Sequence, residues 1–197
     1  MHVLRYDRTM PRLLEFSTTI AVFILTGAVL FGTPSTVHVP NLDGEAVSPI
    51  SEHHDFTVLV FVATDCPIAN RYAPELRRLY ERFNGEVVFW LVYPSDHQSV
   101  SVLREHRASY GFPFEAVRDP ENKLVALSGV TVTPEVAVYA GQRLLYRGRI
   151  DDRYVDFGVS RAKATVHDLR DVLNRLVAGG DVPFTETRAV GCYLSAI

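Results

Sequence analysis

The chain has 197 residues, 47% of them apolar and 22% charged. That is one globular domain with room for an appendage, and it excludes a disordered chain, a collagen and a multi-span membrane protein. The net charge of −3 gives no basic excess of the kind a nucleic-acid binder carries, and two cysteines are too few for a disulfide-dense scaffold or a four-cysteine zinc site.

The chain opens with Arg5, Arg8 and Arg12, succeeded by the apolar run Phe16 to Phe31. No Asp, Glu, Lys or Arg falls between Phe16 and Leu42, and the next Lys or Arg after Arg12 is Arg71. By the positive-inside rule the N-terminus stays in the cytoplasm and the remainder of the chain is exported. The segment, residues 1–32, is either a cleaved signal peptide or an uncleaved anchor. Sixteen helical residues reach roughly 24 Å, short of a hydrocarbon core of about 30 Å. Including Leu13 and Leu14, to give residues 13–31, makes a membrane span feasible. Either way the domain is expected on the extracytoplasmic, periplasmic side, where a disulfide persists.

Thr33-Pro34-Ser35 and Pro40 to Gly44 read as linker and turn. Thr57 to Ala63 is a β-branched and aromatic run, as in a strand buried on both faces. Pro74 to Phe83 carries Leu76, Leu79, Tyr80 and Phe83 at helical spacing, and Asn84-Gly85 stops it. Val87 to Tyr93 is a second buried strand, Ser99 to Tyr110 an amphipathic helix, and Lys123 to Leu127 a short helix. Glu135 to Tyr139 and Arg143 to Tyr146 form a hairpin, and Thr165 to Ala178 a last helix ended by Gly179-Gly180. This order predicts an α/β domain over residues 33–180, with a mixed central sheet and helices on both faces. Residues 181–197 remain as a C-terminal tail carrying Cys192.

Cys66 stands where a buried strand gives way to a helix. Free N–H groups and the macrodipole at a helix N-terminus favour an anion, and a thiolate is one, so Cys66 is a candidate reactive thiol. Pro67 suits the first helical turn, where its missing N–H costs nothing. Asp65 acts against the thiolate. A buried structural cysteine is the plainer alternative.

The stretch Thr64 to Pro74 resembles the active-site segment of the thioredoxin superfamily, where a Cys-x-x-Cys pair opens the first long helix and a proline eight residues later kinks it; Cys66 and Pro74 have that spacing. The superfamily also places a cis-proline opposite the reactive cysteine, just before a strand hairpin. Val130-Thr131-Val132-Thr133-Pro134 occupies that place. The resemblance implies a cis Pro134, Thr133 as a backbone clamp for substrate, and Pro67 beside them at the site. Within the superfamily the chain is similar to the redoxins, of the alkyl-hydroperoxide-reductase and thiol-specific-antioxidant kind or the membrane-tethered disulfide reductases. Arg147 to Asp151 adds to that likeness. The implied activity is thiol–disulfide exchange at Cys66, with protein or small-molecule thiols and disulfides as partners and an electron donor still to be found.

Departures from the pattern limit what carries over. Ala69 stands at the second cysteine of Cys-x-x-Cys, and Asp65 where thioredoxins often have Trp. Leu59 and Ala63 break the peroxiredoxin pattern Pro-x-x-x-Thr/Ser-x-x-Cys. Copper-delivery relatives use Cys-Pro-x-x-Cys, but Asn70 takes the second ligand's place and a Cu(I) site needs thiolates. Cys192 is therefore open to three readings: a resolving cysteine for Cys66, a permanent structural bridge to it within a non-catalytic binding module, or a thiol that pairs with another chain, binds a metal or lies buried. Gly191 beside it permits close approach to another backbone.

Other clusters carry less. His53-His54 read as loop residues rather than a metal pair. Asp151, Asp152 and Asp156 with Arg153 read as a solvated, partly paired loop. His106 and His167 lie on predicted helix faces and read first as surface or structural residues, with a base beside Cys66 as the alternative. No Gly-rich phosphate loop or nucleophile elbow is present, and neither a cofactor nor a metal is expected.

Overall fold

A computed structural model describes residues 36–51, 53–94 and 97–194. The apolar run at 13–31 and the boundary between residues 32 and 33 lie outside the described residues. In chain order the elements are β1 (Val39–Pro40), β2 (Ala46–Val47), β3 (Phe56–Phe61), α1 (Pro67–Phe83), β4 (Val87–Tyr93), α2 (Val100–Tyr110), β5 (Glu115–Arg118) and α3 (Lys123–Ser128). Next come β6 (Val132–Thr133), β7 (Glu135–Ala140), β8 (Arg143–Gly148), β9 (Tyr154–Asp156), β10 (Val159–Ser160), α4 (Asp168–Val177), β11 (Thr185–Glu186) and β12 (Cys192–Tyr193).

Six strands make the central sheet, in the order β11-β8-β7-β3-β4-β5. β4 runs parallel to β3, β5 parallel to β4, and the β7–β8 hairpin packs with β7 antiparallel to β3, so the sheet is mixed. Alternation along β3 sends Val58, Val60 and the adjoining Val62 to one face and Leu59 and Phe61 to the other. The first face is covered by α1 and α4, through Leu76, Leu79, Leu169 and Leu173, with Leu103 of α2. The second is covered by α3, through Leu124 and Val125. Both faces of β3 are buried, which is why its sequence reads as an unbroken apolar run rather than an alternating one.

The structure extends the sequence reading in three places. The first long helix begins at Pro67, with Cys66 as its N-cap, and carries Pro74 in its interior. β5 pairs with β4 at the sheet edge, where the sequence pattern predicts no strand. The chain after α4 folds back onto the body: β11 adds parallel to β8, and β12 pairs antiparallel with β6.

The acidic loop after β8 is a correction. Asp151 and Asp152 are buried, not solvated. The Tyr72 hydroxyl on α1 donates to Asp151 at 2.5 Å, and the Arg153 amide donates to the same oxygen. Asp152 accepts from the amides of Thr165 and Val166 and from the Thr165 hydroxyl, and Arg161 pairs with it. These bonds hold its carboxyl well below the usual carboxylate range. Two adjacent acids read as surface in a sequence because their partners, Tyr72 of α1 and the loop residues Arg161, Thr165 and Val166, come to them only through the fold.

Candidate functional site

β3 ends at Phe61, and a short loop delivers Cys66 to the start of α1. The Cys66 carbonyl accepts from the Asn70 amide, which starts the helical ladder, and Pro67 occupies the first helical turn. The Cys66 side chain has 0% exposure. Its thiol donates to the carbonyl of Thr133 at 2.9 Å. The peptide bond from Thr133 to Pro134 is cis, as the resemblance implied.

The sulfur of Cys192 lies 2.8 Å from that of Cys66 and donates to it. The two residues are 126 positions apart and are brought together by strand pairing, Cys192 opposite Thr133 and Tyr193 opposite Val132. The Leu194 amide donates to the Thr131 carbonyl at 3.0 Å and continues the register. Gly191 is what allows it, since a Cβ at that position would collide with the Thr133 carbonyl. Both cysteines are free thiols. Burial, the hydrogen bond it donates to Cys66 and the negative charge of Asp65 push the Cys192 thiol up to about 12.

Cys66, Cys192, Thr133 and Pro134 therefore meet in one place, and Pro67 flanks them as an exposed residue. Ala69, at the missing second cysteine, is fully buried. Asn70 turns away from the sulfur pair: its amide donates to the Thr64 carbonyl and its oxygen meets His106 Nε2 at 2.8 Å. His106 is buried on α2, with Nδ1 2.8 Å from the Tyr93 hydroxyl, and burial lowers its pKa. It braces the loop before Cys66 through Asn70. His167 is the N-cap of α4. Among the described residues no group of three His, Cys, Asp or Glu is placed to hold a metal ion.

Glu135 is a site-supporting residue that the sequence pattern marks only as the start of a strand. It is buried next to Pro134, and its carboxylate accepts from the amides of Thr131 and Val132, so it fixes the loop that carries Thr133. Burial raises its pKa against those two bonds. An acid at the head of the otherwise apolar Glu135 to Tyr139 strand is the clue the sequence offers.

Two hollows border Cys192. One, of about 490 Å³, lies between Val132, Asp156, Phe157, Arg188 and Tyr193. The other, of about 470 Å³, is lined by Asp65, Tyr93, His97, Thr133 and Leu194 among others. Cys66 lines neither.

A buried cysteine capping a helix opposite a cis-proline, on this mixed sheet, defines a thioredoxin-like redoxin domain. The chain belongs to the AhpC/TSA family, whose match spans residues 33–149. The solved structures add fold likeness. A hypothetical protein from Sinorhizobium meliloti is 18% identical, with a TM-score of 0.69, over 83% of this chain and 92% of that one. An uncharacterized conserved protein from Geobacillus kaustophilus is 22% identical, with a TM-score of 0.67, over 83% and 91%. A secreted Mycobacterium tuberculosis disulfide oxidoreductase homologous to E. coli DsbE is 18% identical, with a TM-score of 0.50, over 73% and 96%. No curated protein matches the chain. Family and fold fit a thiol–disulfide oxidoreductase.

Proposed function

We propose that this protein is a thiol–disulfide oxidoreductase in which Cys66 is the attacking thiol and Cys192 the resolving one. The observation that carries the reading is the 2.8 Å separation of the two sulfurs, across 126 residues of chain. Cys66 attacks a disulfide and becomes joined to one of its sulfurs, and the other leaves as a thiol. Cys192 then attacks Cys66, closing a Cys66–Cys192 disulfide and releasing the second thiol. An outside dithiol returns the pair to the reduced state. Thr133 holds the Cys66 sulfur through its carbonyl, and Glu135 fixes that carbonyl's loop.

The test is a redox titration read by alkylation and intact mass. Both cysteines should convert together between two alkylated thiols and one intramolecular disulfide, and Cys66→Ser should abolish turnover of a disulfide substrate. Unchanged turnover in Cys66→Ser overturns the reading.

The domain is placed outside the cytoplasm in this reading. Support comes from Arg5, Arg8 and Arg12 ahead of the apolar residues 13–31, and from the secreted disulfide oxidoreductase among the fold relatives. A reporter fused after residue 197 that is active only outside the cytoplasm tests it, and a reporter active only inside refutes it.

A further inference from the structure

The backbone edge beside Cys66 is already occupied. One general way for an extended polypeptide to bind is to lay its own backbone along an exposed strand edge and take its binding energy from the ladder. The edge that flanks Cys66 is β6, whose Thr133 carbonyl accepts from the Cys66 thiol. The protein's own tail is paired to it, with Cys192 opposite Thr133, Tyr193 opposite Val132 and the Leu194 amide on the Thr131 carbonyl. Cys66 itself has 0% exposure, and Cys192 of this tail lies 2.8 Å from its sulfur.

We propose, building on the Cys66–Cys192 cycle above, that the tail selects the substrate class: low-molecular-weight disulfides react and extended polypeptide disulfides are excluded. Opening is undemanding for a small molecule. β12 has only two residues, Tyr193 is 86% exposed, and hollows of about 490 and 470 Å³ lie on its flanks. A small disulfide, RSSR, needs the tail to lift only while Cys66 attacks. Cys66 gives up its proton to solvent and its Sγ bonds to one sulfur of RSSR; the RS–SR bond breaks, and the other half leaves as RS⁻ and takes a proton. The tail then settles back on β6, and Cys192, having lost its proton to solvent, attacks Cys66 Sγ. The Cys66–Cys192 bond forms, and the second RS⁻ leaves and is protonated. One RSSR is reduced to two RSH, and the protein dithiol is oxidised to a disulfide.

A polypeptide would have to hold β6 for itself, and while it did so Cys192 would be displaced from the position it needs for the second step. It also competes with a tethered strand, whose effective concentration is on the order of millimolar. A polypeptide at about 10 μM is then held back roughly a hundredfold.

The experiment uses the pre-reduced full chain, mixed in single turnover with oxidised glutathione or with insulin. The loss of free Cys66 thiol is tracked by acid quench, alkylation and intact mass. Two variants loosen the tail: Gly191→Val, whose side chain meets the Thr133 carbonyl, and Leu194→Pro, which removes the amide bonded to Thr131. Circular dichroism checks that each is folded, and the second variant leaves the Gly191 contact intact. The ratio of the glutathione rate to the insulin rate should be high in the natural protein and fall at least tenfold in either variant. An unchanged ratio in folded variants overturns the substrate selection and leaves the redox cycle standing. No reaction of Cys66 with either disulfide in any form overturns the cycle itself, and the selection with it.

Discussion

Closing the Cys66–Cys192 disulfide ties together residues 126 positions apart, and that separation sets a size for the effect. The chain-entropy relation gives about 5 kcal/mol of stabilisation for a loop of that length, against about 2–4 kcal/mol for typical disulfides. The folded state meets little opposition to closure, because strand pairing already holds the sulfurs side by side. The oxidised protein should therefore be more stable than the reduced one by between about 2 and 5 kcal/mol. With a urea m-value of about 2 kcal/mol/M, the unfolding midpoint moves up by about 1 to 2.5 M. By the same thermodynamic cycle, folding should lower the reduction potential of the disulfide by roughly 40 to 110 mV relative to the unfolded chain, since about 1.4 kcal/mol corresponds to 30 mV. The assay is equilibrium urea unfolding of oxidised and reduced samples, with the disulfide verified by intact mass. Coincident midpoints in a verified oxidised sample would refute the loop-closure reasoning.

The site and its supports give three more expected outcomes. Burial pushes the Cys192 thiol up and only its thiolate attacks, so closure of the disulfide should accelerate from pH 7 to 9 by up to about tenfold per pH unit, and a flat stopped-flow profile contradicts it. Burial lowers the pKa of His106 below its unfolded value near 6.5, so the unfolded chain binds the proton better and stability falls as pH drops below about 6.5. The loss is at most about 1.4 kcal/mol per pH unit, and urea titrations of His106→Gln should lack that component; equal slopes in both proteins count against it. Tyr72→Phe removes the donor to the buried Asp151 carboxylate and should cost about 1–3 kcal/mol in unfolding free energy, whereas an effect below about 0.5 kcal/mol would mean water replaces the hydroxyl.

The strands and helices of the sheet's centre are legible because each declares itself locally. β3 and β4 are long apolar runs, α1 repeats its apolar positions every three to four residues, and Cys66 stands at the junction between strand and helix. β5 is not legible: its four residues, Glu115 to Arg118, carry two charges and form an edge. The burial of Asp151 and Asp152 is hidden because Tyr72 reaches Asp151 from 79 positions away, while Asp152 is bonded by Thr165 and Val166 of the loop ahead of α4, a contact only the folded loop makes.

For the site the division is sharper. Cys66 at a helix start, Pro74 eight residues on, and Thr133-Pro134 ahead of a hairpin are short-range patterns, and the sequence by itself determined them. Gly191 beside Cys192 hints at a close backbone approach but not at which backbone. The meeting of Cys192 with Cys66 depends on two-residue strands whose pairing energy comes wholly from distant partners, β11 on β8 and β12 on β6. Such strands have no periodicity to read, and a register that brings two sulfurs to 2.8 Å exists only once the sheet has placed Thr133 beside the start of α1.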